Sequence, residues 1–107
     1  MFTFHKDANL TDLGGDVSRK ILSHGEDMMA VEVIFEEGAI GAVHTHPHVQ
    51  ISYVLEGKFE AEIGNEKRII SVGDTYYTLP YVPHGVKCLE KGRLLDIFTP
   101  ERKDFLK

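Results

Sequence analysis

The chain has 107 residues, a formal net charge of −5 and one cysteine. This length suits a single hydrophobic core, so residues 1–107 are expected to form one domain. The lone cysteine rules out an internal disulfide, and an acidic chain without a basic stripe argues against nucleic acid as a partner. A small anionic ligand stays open, because the charge inside a site can oppose the net charge. No stretch approaches the ~20 apolar residues of a membrane-spanning helix. The opening MFTFHKDANL lacks the apolar run of a secretory leader, so a cytoplasmic protein with no membrane partner is expected.

Residues 1–20 are polar and contain Gly14-Gly15. They read as an N-terminal arm with a short helical turn near Leu10–Leu13. Residues 30–35 (AVEVIF) are β-rich and end at Glu36-Glu37-Gly38. Residues 50–63 alternate: Ile51, Tyr53 and Leu55 against polar partners, then Phe59, Ala61 and Ile63 against Glu60 and Glu62. Glu56-Gly57 between them reads as a turn, as does Gly64-Asn65. Further strands are expected at residues 67–72, 75–79, 85–90 and 93–98. Only the tail PERKDFLK reads as helical, with Pro100 in its first turn. Many short strands with glycine turns, and no helix long enough for a crossover, predict an all-β sandwich or small barrel of antiparallel sheets.

Three of the six histidines lie in one short run, His44-Thr-His46-Pro-His48. If the run is a strand, His44 and His46 point the same way and Gln50 keeps their parity. His84 follows a loop marked by Pro80 and Pro83, and an antiparallel barrel can return it beside them. A lone histidine would read as a surface or core residue. Three groups of one parity, joined by His84, point instead to a divalent transition metal, with Gln50 adding a neutral oxygen. Such a set accepts nickel, zinc, manganese, cobalt, copper or iron. His48 shares the parity but follows Pro47, and reads as a solvated or supporting residue. His5 and His24 lie in polar segments without a role.

These residues resemble the two motifs of the cupin superfamily. The first is Gly38-x5-His44-x-His46-x3-Gln50-x6-Gly57, with Gln50 where most cupins carry Glu. The second runs through Gly73-Asp74 and Pro80 to Pro83-His84; Leu79, Tyr81 and Cys88 depart from its usual residues. A narrower resemblance covers nearly the whole chain. MFTFHKDANL, GAVHTHPHVQISYVLEGKFE, GDTYYTLPYVPHGV and LLDIFTPERKDFL are similar to the KdgF pectin-degradation proteins, in which glutamine as a metal ligand is at home. The resemblance implies a cupin jelly-roll barrel of two antiparallel sheets with a short N-terminal arm and a C-terminal helical turn. It implies one divalent metal ion on His44, His46, Gln50 and His84. It also implies that Asp96, Phe98 and Arg102 surround a small anionic sugar. The activity implied is conversion of 4,5-unsaturated uronate monosaccharides from pectin or alginate into linear keto sugars.

The residues themselves allow this chemistry. Asp96 and Phe98 share a face of the last strand, opposite Leu95 and Ile97. Asp96 is then the candidate proton carrier, Phe98 an apolar wall, and Arg102 a bidentate grip for a carboxylate. The plainer reading is also open: Asp96 as an edge-strand surface charge, and Arg102 as a solvated charge paired with Glu101 or Asp104. Tyr76 and Tyr77 either line the pocket or belong to the core. If Gln50 points inward, then Ile51, Tyr53 and Leu55 face out, which predicts a bulge near Pro47 or a homodimer that covers them. Two other readings compete with the uronate enzyme. One is another metal-dependent cupin enzyme, a dioxygenase or isomerase, although Gln50 removes the carboxylate that redox iron sites favour. The other is a non-catalytic cupin that binds a small ligand, which would need no proton carrier at Asp96.

Overall fold

A computed structural model describes all 107 residues as an antiparallel β-structure. Its strands are β1 (Leu10–Gly14), β2 (Val17–Gly25), β3 (Met28–Phe35), β4 (Ile40–His44), β5 (Val49–Ile63), β6 (Glu66–Ser71), β7 (Thr75–Thr78) and β8 (His84–Thr99). Two 3-10 turns, His5–Asp7 and Lys103–Leu106, complete it. The all-β jelly-roll expected from the sequence is therefore the fold.

The long strands β5 and β8 are bent and belong to two layers. In one, β8 lies between β3 and the first half of β5, through pairs such as Val31↔Asp96 and Ser52↔Asp96. That layer continues outward through β2 and β1 on one side and β7 on the other. In the other layer, the second half of β5 pairs with β6, and the first half of β8 pairs with β4. The bends occur where Gly57, at φ +83°, meets Gly92. A Cβ on Gly57 would strike the Lys91 and Glu90 carbonyl oxygens, and one on Gly92 would strike that of Glu56. Only glycine allows both backbones to pass this closely.

Four expectations are corrected here. Glu56-Gly57 does not turn the chain, because the two alternating halves are one strand bent at a bulge. Residues 85–90 and 93–98 are likewise one strand, β8. The N-terminal segment is no loose arm, since Leu10–Leu13 is β-strand and Gly14, Gly15 and Asp16, all at positive φ, turn it into β2. Pro100 precedes the C-terminal turn instead of starting it.

The space between the layers holds the core. Phe59, Val54, Leu94 and Cys88 are fully or almost fully buried, and Phe35 packs edge-on against Phe59 with centroids 5.2 Å apart. A smaller group, Met29, Val31 and Phe98, fills the other end of the barrel. Along β5, Gln50, Ser52 and Val54 are buried while Ile51 and Tyr53 stay exposed, so the alternation runs in the phase the histidine motif requires. No helix is long and apolar enough to cross a membrane.

Candidate metal centre and ligand cavity

His44 ends β4 and faces His84, the first residue of β8, across a strand pair. His46 lies in the loop between β4 and β5, and Gln50 is the second residue of β5. One strand does not run from His44 to Gln50, so shared strand parity is not what brings them together. The loop folds over, and the residues converge from three strands and the loop. The imidazoles of His44, His46 and His84 place their ligand atoms within 4.8 Å of one another. His46 and His84 are buried and His44 is exposed, so the cluster opens to solvent on one side.

Backbone carbonyls fix the rings. Nδ1 of His44 lies 2.8 Å from the Ala42 oxygen, that of His46 3.1 Å from His48, and that of His84 2.8 Å from Val82. A carbonyl can only accept, so each Nδ1 carries the proton and each Nε2 presents a lone pair. Gln50 Oε1 lies 2.9 Å from Nε2 of His46 and 3.1 Å from Nε2 of His84. The Gln50 amide nitrogen donates to Ser52 Oγ at 2.8 Å, and Ser52 Oγ donates to Asp96 Oδ1 at 2.6 Å. An ionised Asp96 can only accept, and this chain of donors turns the amide oxygen toward the histidines. Acceptors therefore face acceptors with no proton between them. Burial also holds the His46 imidazole below its ordinary range and that of His84 down to about 4, so protonation does not relieve the conflict near neutral pH. A cation relieves it, and three imidazoles with one amide oxygen suit a divalent transition metal.

Beside this cluster lies a cavity of about 170 Å³, lined by His44, Gln50, His84, Asp96, Phe98 and Arg102 among others. All three residues proposed to surround a ligand thus reach it. Asp96 is inside the barrel and is no surface charge. Burial pushes its carboxyl up to about 6, against the opposing pull of Ser52, Arg102 and Gln50. Phe98 is buried and stands edge-on to His46, with centroids 5.7 Å apart. Arg102 lines the cavity but is already forked onto Asp104, Nε to Oδ1 at 3.1 Å and Nη2 to Oδ2 at 2.9 Å. Arg102 is thus paired with Asp104, as the plainer reading had it, but its side chain is largely buried and not solvated. Tyr76 lines the cavity and its hydroxyl pKa is raised by burial and by Asp96, whereas Tyr77 points outward. His48 stays outside the ligand set, with Nε2 donating to the Glu101 carbonyl at 3.2 Å. His5 and His24 contact Glu32 and Glu101 on the outside.

Two cavity residues went unnoticed in the sequence. Arg19 on β2 and Phe105 in the C-terminal turn both line it, and the Arg19 guanidinium carbon sits 3.8 Å from the Phe105 ring centroid. Arg19 shares parity with Val17 and Ile21, so it occupies a core-facing position. A charge in an apolar alternation was the available signal.

Residues 31–98 match the cupin domain family, more than half of the chain and all four candidate ligands included. The chain is 47% identical over 97 residues to the pectin degradation protein KdgF of Dickeya dadantii (strain 3937), covering 89% of this chain and 88% of that protein. The chain belongs to the cupin family, and within it to the KdgF proteins. Among solved structures, KdgF from Halomonas sp. superposes on this cupin with a TM-score of 0.94 at 38% identity, covering 98% of this chain and 99% of the other. An RmlC-like cupin from Shewanella frigidimarina NCIMB 400 does so with a TM-score of 0.95, also at 38% identity, covering 97% and 94%.

Proposed function

We propose that this cupin converts 4,5-unsaturated uronate monosaccharides, released from pectin or alginate, into linear keto sugars, with residues 1–107 working as one domain. The observation that carries the reading is Asp96, a carboxyl buried in the same cavity as the donor cluster and raised toward neutrality. The relationship to pectin-degradation KdgF supplies the substrate class. The cavity, of about 170 Å³, has room for one sugar ring. It falls below the ~300–1,000 Å³ of sites for drug-sized ligands.

In its ring form such a substrate is a hemiacetal. Opening it requires loss of the proton on the anomeric hydroxyl and cleavage of the bond between the anomeric carbon and the ring oxygen. An aldehyde and an enolate result, and protonation of the enolate at carbon gives the ketone. One proton leaves oxygen and one arrives at carbon, so no redox partner is needed. His44, His46 and His84 through Nε2, with Gln50 through Oε1, would hold the divalent ion, which when bound supplies Lewis-acid polarisation of a sugar oxygen. Asp96 takes the hydroxyl proton as carboxylate and delivers a proton to the enolate carbon as carboxylic acid. A pKa near 6 leaves both forms accessible close to neutral pH. Ser52 holds Oδ1, which leaves Oδ2 for the substrate. Phe98 packs against the sugar and excludes water, and Arg102 adds positive charge to the wall.

Asp96→Asn tests this directly. With metal content unchanged, turnover, followed as loss of the conjugated ultraviolet absorbance of an unsaturated uronate monosaccharide, should fall by about 10²–10⁴-fold, the usual contribution of a positioned proton carrier. Unchanged turnover would remove Asp96 from the mechanism and leave a non-catalytic binding cupin as the better reading.

The exposed Ile51, Tyr53 and Tyr77 lie on one outer sheet face, which supports a homodimer closed by a second copy, and we place the protein in the cytoplasm. A monomeric sedimentation profile at micromolar concentration would refute the dimer.

A further inference from the structure

The cavity wall also contains two guanidinium groups that lie over one ring, Phe105. Arg19 lies 3.8 Å and Arg102 4.2 Å from the Phe105 centroid. Two cations this close are tolerated because the ring face is negative and because Asp104 supplies a carboxylate. Asp104, however, is committed to Arg102 through both oxygens. One carboxylate thus serves two guanidinium groups, and one positive charge is left without a partner in contact.

That charge is on Arg19. It forms no ion pair and no hydrogen bond, and its Nε is buried without an acceptor. Such a donor is costly to leave unmade, and strand β2 could bury the position more cheaply with an apolar residue. Val17 and Ile21, on the same face of β2, are apolar. The ring of Phe105 and the pairing of β2 with β3 restrict the arginine, so its fork is held ready toward the cavity.

We propose that Arg19 is the principal grip for the carboxylate of the sugar, with Arg102, Asp104 and Phe105 acting as the brace that positions it. The inference rests on the uronate reading for the identity of the ligand. Arg102 has two of its donors satisfied within the protein, whereas Arg19 has none. A carboxylate on the Arg19 fork supplies the missing acceptor and balances the surplus charge. It also leaves the anomeric end of the sugar free to face the histidines and Asp96, which line the same cavity.

The experiment compares D-galacturonate with D-galactose, which lacks only the carboxylate, by calorimetric binding to metal-loaded wild type, Arg19→Met and Arg19→Lys. Methionine keeps an apolar stem beside Phe105 and should fold; lysine keeps the charge and loses the fork. Wild type should favour galacturonate. In Arg19→Met galacturonate should bind about 10–100-fold more weakly, the range for a charged hydrogen-bonded contact, while galactose changes by less than about twofold. Arg19→Lys should fall between them. On the unsaturated uronate, Arg19→Met should raise KM far more than it lowers kcat. Equal galacturonate affinity in wild type and both variants overturns the proposal, as does a wild type indifferent to the carboxylate. Failure of the uronate reading would look different, since wild type would bind galacturonate through Arg19 and yet not consume the unsaturated sugar.

Discussion

At the histidine end of the cavity nearly every polar group is held by a neighbour two residues away; the arginine end has one such pair, Arg102 with Asp104, but its Arg19–Phe105 contact joins opposite ends of the chain. His44 leans on Ala42, His46 on His48, His84 on Val82, and Gln50 on Ser52. Arg19 and Phe105, by contrast, meet only because β2 and the C-terminal turn close over the same opening. Local bonds of the first kind fix tautomer and orientation before any ligand arrives, which suits an ion that tolerates little error in geometry. The second kind tolerates more movement and suits a ligand that must enter and leave. The two ends should therefore separate under mutation.

The largest separation is expected from His84→Ala. It removes a buried ligand, and both metal content by elemental analysis and turnover should fall to background. Binding of D-galacturonate through the arginine end should persist, weakened by less than about tenfold, the value of one lost contact of ~1.4 kcal/mol. Loss of sugar binding together with the metal would mean that the two ends act as one site.

Ser52→Ala is a milder test of the same division. Ser52 touches neither the histidines nor the arginines, but it orients Gln50 and bonds Asp96. Without the hydroxyl the amide is free to flip and present its NH2 group to the cluster. Metal affinity, measured by competition with a chelator, should drop by about 10–100-fold, the usual cost of losing a supporting bond. An unchanged affinity would show that the acceptors facing one another at Gln50 are not held by this relay.

The contrast between the ends also explains what the sequence revealed. The histidine end was legible because its residues crowd into a short run and because imidazoles in number have few other uses. Strand parity is nevertheless not the cause of their convergence, since residues 45–48 are not strand. Arg19 is hidden in the sequence because a charge inside an alternating strand looks like the end of the alternation, and residues 1–20 read as a polar arm. Gly57 was misread because a glycine after an apolar alternation looks alike whether the chain reverses or bends. Only its partner Gly92, 35 residues on and in contact across β8, decides between them. For Asp96 the residue pattern favours a surface charge and the resemblance a site residue; its burial beside Ser52 places it inside.

The smallest effect is expected in acid, on the metal-free protein, and it concerns the relay that joins the donor cluster to Asp96. Burial holds His84 down to about 4, below its ordinary 6.5, so the unfolded chain takes a proton that the folded chain refuses. Its contribution to stability is complete above pH 6.5 and is lost as pH falls toward about 4. His46, also lowered by burial, acts in the same direction. Asp96 acts in the opposite sense. Its folded pKa of about 6 exceeds the ordinary 3.8, so its contribution is complete below pH 3.8 and is lost as pH rises through about 6. Between these limits the carboxyl offsets part of what the histidines lose on acidification. Asp96→Asn removes only the carboxyl's part. The melting temperature of the variant, compared with wild type at each pH by differential scanning calorimetry, should therefore fall progressively behind as pH is lowered from 6 to 4. Parallel profiles would mean that Asp96 ionises as an ordinary surface carboxylate, and its part in proton transfer would lose its physical basis.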